Sequence, residues 1–146
     1  MLRFLYAGIL HECDYILRIT ADCPFFDIGI NITLIAHCTY YKTQFEYDYY
    51  TYYEQGKDIP CVAYVPKGHF KELFSLDALF RAYKDTTYNV EWREHVAPKI
   101  WKNPSIYKIK RIEITSEEIE SLPVSDINTP ADLVTIRRLY DMGMIR

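Results

Sequence analysis

Residues 15–24 read Tyr15-Ile16-Leu17-Arg18-Ile19-Thr20-Ala21-Asp22-Cys23-Pro24. The first six are aromatic, β-branched or long apolar types with one arginine, the composition of a short β-strand. Pro24 cannot continue a central strand, so the strand ends in Ala21-Asp22-Cys23 and Asp22 stands at its carboxyl end. Beyond it, Ile28, Ile32, Ile35 and Ala36 recur at helical spacing and predict a second helix, which makes a βα unit. Upstream, Leu2, Leu5, Tyr6, Ile9 and Leu10 predict a helix over 2–12, with Arg3 and Glu12 off its apolar face and no N-cap residue before it.

Downstream, Phe45-Glu46-Tyr47-Asp48-Tyr49 alternates aromatic and acid, the period of a strand with one wet face. Cys61-Val62-Ala63-Tyr64-Val65, after the Gln55-Gly56-Lys57-Asp58 turn, completes a predicted hairpin, an insertion spanning residues 40–65. Seven of the 14 tyrosines fall between Tyr40 and Tyr53, which makes that hairpin a self-associating surface by expectation. Glu72-Leu73-Phe74 reads as a further strand, and Ser75 as the cap of a helix over 76–83. A helix over 90–101 and a strand over 106–114 follow. Thr129 at the N-cap, Pro130 at the first helical position, Asp132 three residues after the cap and Gly143 at the end specify the last helix completely. Strands alternating with helices point to a single α/β domain over residues 1–146, without repeats or a flexible linker.

The chain has 146 residues, 49% hydrophobic and 25% charged, a composition that excludes disorder. Its formal charge of −3 argues against nucleic acid as a partner. No apolar run approaches the roughly 20 residues that cross a bilayer, and the opening residues do not read as a signal peptide, so the sequence reads as cytoplasmic with no membrane role. Cys13, Cys23, Cys38 and Cys61 contain no Cys-x-x-Cys pair, and reduced thiols follow.

Two acidic loop positions have chemical interest: Asp22 after the first strand and Asp126 before the last helix. Open α/β sheets place their ligand crevice outside the strand carboxyl ends, and two carboxylates there suffice for Mg²⁺ when phosphate and water complete the shell. Both also suit plain turn residues. Arg93 and His95 suit either a surface helix or a substrate-facing one, and Lys108, Lys110 and Arg111 suit a solvated strand face.

Arg18-Ile19-Thr20-Ala21-Asp22-Cys23-Pro24-Phe25-Phe26-Asp27 resembles a signature of the cytidylyltransferase-like family, nearest the spore-coat polysaccharide biosynthesis type, protein F. Three further segments match in order: Pro66-Lys67-Gly68 through Ser75; Trp92-Arg93-Glu94-His95-Val96-Ala97-Pro98 with Asn103-Pro104; and Asn128-Thr129-Pro130-Ala131-Asp132-Leu133 with Ile136-Arg137. The resemblance implies part of a nucleotide-diphospho-sugar transferase fold, Rossmann-like and three-layered, carrying the Tyr-rich hairpin as an insertion. It implies Mg²⁺-dependent transfer of CMP from CTP to a sugar acid in surface-polysaccharide sugar activation. Asp22 and Asp126 would hold the metal, Arg18, Arg93 and His95 would act in catalysis, and Lys67, Glu72 and Asn128 would bind substrate. Two departures stand out. Phe70 occupies a position that is usually acidic, and the family's opening strand with its Gly/Arg/Lys loop has no counterpart, since Gly8, Gly29, Gly56, Gly68 and Gly143 are isolated. The resemblance thus implies the C-terminal part of such an enzyme, incomplete by itself. The alternative is a noncatalytic remnant or oligomerising subunit that needs a partner chain for the nucleotide half.

Overall fold

Tyr49, Tyr50, Tyr52 and Tyr53 are all buried, and they form the middle of the molecule rather than a projection from it. A computed structural model describes residues 1–40, 46–65, 68–85 and 97–144. Strands β1 (Tyr15–Arg18), β2 (Tyr49–Glu54), β3 (Glu72–Ser75) and β4 (Ile109–Ile114) make one sheet in the order β1-β3-β2-β4. β3 runs antiparallel to both neighbours, and β2 and β4 pair in parallel. The register sets Arg18 opposite Glu72 and Tyr15 opposite Ser75.

Alternation along the strands divides the core between the two faces of the sheet. Tyr49 and Phe74 join one cluster with Leu5 of α1 (Leu2–Leu10), Ala78, Leu79 and Ala82 of α3 (Leu76–Asp85), and Ile100 of α4 (Pro98–Trp101). Tyr50, Tyr52, Leu73, Ile112 and Ile114 join the other, with Leu34 and Cys38 of α2 (Ile28–Thr39) and Ile119 of α5 (Ser116–Ser121). Helices therefore cover both faces, giving a three-layer α/β arrangement. The last helix, α6 (Pro130–Asp141), starts with Pro130 at its first position and the Thr129/Asp132 capping box, as its sequence predicts. Ser75 caps α3 by accepting from the Ala78 N–H at 3.0 Å.

The hairpin over 40–65 is not what forms. β2 is an inner strand flanked by β3 and β4, and Cys61–Ala63 is a 3-10 turn packed against β2, with a single Tyr53–Pro60 bridge just before it, rather than a second strand. A strand buried on both faces reads as a continuous run, here of tyrosines, so alternation is a poor guide to it. The phenol groups find partners inside: Tyr49 Oη donates to Glu72 Oε1 at 2.7 Å and Tyr52 Oη to the Ile30 carbonyl at 2.9 Å. Helix α5 arises from a Thr115/Glu118 capping box that the sequence reading passed over. The predicted helix over 90–101 falls partly outside the described residues, and its described end is α4. Among the described residues, none of the four cysteines forms a disulfide and no helix is long and apolar enough to cross a membrane.

Among the described residues β1 pairs only with β3, which leaves its other edge open. The flanking helices carry exposed apolar stripes, Leu2, Tyr6 and Ile9 on α1 and Ile28, Ile32 and Ile35 on α2.

Candidate functional site

Three chain segments meet at the carboxyl end of β1. The loop after β1 contributes Thr20, Asp22 and Cys23, the entry to β3 contributes Gly68 and Phe70–Glu72, and the approach to α6 contributes Asp126; with Arg18, Val62 and Val65 they line a cavity of about 330 Å³. The backbone holds this junction. The Ile127 N–H donates to the Asp22 carbonyl at 2.7 Å, tying the two acidic segments together. Gly68 adopts a left-handed φ of +67° against the same place, where a Cβ would lie 2.9 Å from Ser125 Oγ and 3.0 Å from the Asp126 nitrogen. The buried His69 links the outer ends, its Nδ1 accepting from the Asp27 N–H at 2.9 Å while its Nε2 meets the Pro123 carbonyl. That pattern makes it a neutral structural imidazole.

Asp22 and Asp126 therefore share one crevice. The hydrogen bond from Thr20 holds the Asp22 carboxyl below the ordinary range, helped by its own backbone N–H, the Cys23 thiol and the Lys71 charge, against partial burial, which pushes the other way. Asp22 is thus an anion at neutral pH. Asn128 sits at the rim, its Nδ2 donating to Asp126 Oδ2 at 3.0 Å, which leaves its amide oxygen as a further neutral donor. Two carboxylates and an amide oxygen are hard ligands, the type that Mg²⁺ takes while keeping waters and phosphate oxygens. The donor set fits that ion, although no cluster of three His, Cys, Asp or Glu side chains occurs among the described residues.

Arg18 and Glu72 face each other across β1 and β3. Arg18 Nη1 donates to Glu72 Oε2 at 2.8 Å, and the other carboxylate oxygen accepts from Tyr49. The Glu72 side chain is only 4% exposed and that of Arg18 23%, so the glutamate is enclosed and fully occupied. Both residues line the crevice, and Arg18 also borders two neighbouring hollows, one toward Met1 and Tyr83 and one toward Tyr64 and Trp101. Glu72 fixes the orientation of Arg18 rather than offering a free acceptor of its own. Of the other expected site residues, Lys67, Arg93 and His95 lie outside the described residues.

The sequence reading missed Lys71. It is 3% exposed, lines the crevice, and is placed by the same strand entry as Glu72. Its signal was a charged residue inside the apolar run Phe70-Lys71-Glu72-Leu73-Phe74. Arg111, expected on a solvated strand face, pairs with the exposed Asp58 at 2.8 Å and lies over the Tyr53 ring.

A mixed sheet covered on both faces, with its acidic crevice beyond a strand's carboxyl end, is an architecture of the nucleotidyltransferase kind. The chain is similar in fold to a cytidylyltransferase from Leptospira borgpetersenii serovar Hardjo-bovis, on which it superposes with a TM-score of 0.71 and 26% identity, over 92% of this chain and 52% of that one. An uncharacterized protein of Methanocaldococcus jannaschii is 32% identical over 111 residues, 76% of this chain and 40% of that protein. The chain thus spans about half the length, or less, of these relatives. No protein-family model matches it.

Proposed function

We propose that this chain is the acceptor-side part of a Mg²⁺-dependent cytidylyltransferase that transfers CMP from CTP to a sugar acid, in the activation of surface-polysaccharide sugars. The convergence of Asp22 and Asp126 on one crevice at the carboxyl end of β1 carries the reading. The likeness to a cytidylyltransferase supports it. Asp22 and Asp126 would hold the metal, with Asn128 as a neutral ligand or substrate contact; the ion supplies charge neutralisation on the phosphates. Arg18, clamped by Glu72, presents a fixed guanidinium to the anionic reactants. In the transfer a sugar hydroxyl loses its proton, its oxygen bonds to the α-phosphorus, and the α–β bridge breaks to release pyrophosphate. Lys67, Arg93 and His95 belong to this proposal through the family resemblance.

A second reading, that the chain needs a separate nucleotide half, is favoured by the edge of β1 that has no strand partner among the described residues and by the exposed apolar stripes on α1 and α2. A three-layer sandwich continued past β1 would cover both stripes and bring a phosphate-cradling loop beside Asp22. Titration calorimetry with CTP and Mg²⁺ tests both readings together. The purified chain is expected to bind CTP no tighter than about 1 mM, because its five glycines are isolated in sequence and none of the described residues forms a Gly-containing phosphate cradle. Binding near 1 μM would place the nucleotide site within this chain and remove the second reading.

A further inference from the structure

Lys71 is a buried cation whose charge is answered at a distance, by the Asp22 carboxylate in the same crevice. Its Nζ donates to the Gly68 carbonyl at 2.8 Å and lies 5.4 Å from the Phe26 ring centroid. Among the described residues no carboxylate forms an ion pair with it. An ammonium has three donors, and a neutral carbonyl and a ring face satisfy it poorly once water is removed. Arg18, in the same crevice, has a matching vacancy: its Nε is buried with no acceptor among the described residues, while Nη1 is committed to Glu72. Unused cationic donors on β1 and at the start of β3 therefore converge on one cavity of about 330 Å³.

We infer that Lys71 and Arg18 form an oxyanion pocket beside the two aspartates, and that a phosphate or carboxylate group of the ligand seats there. The pocket rests on the crevice being a ligand site but does not need the metal. Asp22 and Asp126 oppose a bare anion, so they set how much of the affinity depends on a bound cation. Lys71 acts as a point charge and Arg18 as a planar donor, and together they match a group with at least two acceptor oxygens. Burying an ammonium with no direct ion pair lowers stability, a cost that a binding role explains.

The test uses the purified chain in EDTA, so that failure of the metal reading cannot mask the result. Pyrophosphate and glucuronate are titrated by calorimetry or amide chemical shift, one arm for the phosphate source and one for the carboxylate source. At least one anion is expected to bind, and Lys71→Met to weaken it about tenfold or more, the scale of one lost charge-assisted hydrogen bond. Lys71→Arg is expected to restore most of the affinity. Asp22→Asn is expected to strengthen anion binding by removing a repelling charge. Lys71→Met should also melt no lower than wild type, whereas a purely structural lysine would melt lower when replaced. The inference is overturned if neither anion binds the folded wild type at about 10 mM, if Lys71→Met binds as tightly as wild type, or if it loses stability together with affinity.

Discussion

Replacing Glu72 by glutamine removes one charge from an enclosed pair while keeping its shape. In the wild type, Glu72 accepts from Arg18 at 2.8 Å and from Tyr49 at 2.7 Å, with 4% of its side chain exposed. The amide keeps one acceptor oxygen, so it can accept from Arg18 or from Tyr49 while it turns a donating NH2 toward the other, and the Arg18 guanidinium loses its paired anion. Breaking a buried pair by removing one partner costs about 3–5 kcal/mol when both groups are enclosed. Arg18 retains 23% exposure, and water there recovers part of that loss. The expected destabilisation is about 2–3 kcal/mol, which corresponds to a fall in Tm of roughly 5–10 °C for a domain of this size. Thermal and urea unfolding of the single variants and of Arg18→Met/Glu72→Gln measure it, with the double variant expected less destabilised than the sum of the singles. A Tm within about 2 °C of wild type for Glu72→Gln would refute the account of Glu72 as the clamp on Arg18.

Gly68→Ala places a side chain at φ +67°, 3.0 Å from the Asp126 nitrogen, and is expected to cost about 1–2 kcal/mol of stability in urea titrations. Unchanged stability would show that the 125–126 segment yields freely. Tyr49→Ser opens a large hole at a position of 0% exposure, so unfolding is expected about 3–5 kcal/mol easier; a folded variant of full stability with altered self-association would instead restore the surface role that the sequence suggested. Glu54, bonded by Lys57, Ser116 and Tyr64, has its carboxyl pulled from an ordinary 4.5 down to about 2. Its folded-state value is the lower one, so its contribution is present above the ordinary value and is lost as pH falls from there toward about 2. Carboxyl-carbon NMR should give a midpoint near 2, and one near 4.5 would contradict the bonding around it.

What was legible in the sequence was whatever local chemistry decides. The β1–Asp22–Pro24 break and the Thr129-Pro130-Asp132 cap carry their own stop and start signals, and the helix and turn around them formed where those residues place them. The β2 strand was missed because its assignment depends on partners at residues 72–75 and 109–114, and because six residues buried or nearly so on both faces show no wet–dry alternation. The Thr115-x-x-Glu118 box was legible and overlooked. At the candidate site, the sequence singles out Asp22 and Asp126 from their places after a strand and before a helix, and the structure brings both to one crevice. Lys71 was not, because only the closing of Gly68 against Ser125 and Asp126 turns a strand lysine into an enclosed one.

Mn²⁺ titration followed by electron paramagnetic resonance tests the crevice most directly, since Mn²⁺ takes the same hard oxygen ligands as Mg²⁺. One ion per chain is expected to bind, with Asp22→Asn and Asp126→Asn each weakening it about tenfold or more while the fold persists. Mn²⁺ binding that is absent, or that both variants leave at wild-type strength, would contradict the proposal that this crevice holds the metal.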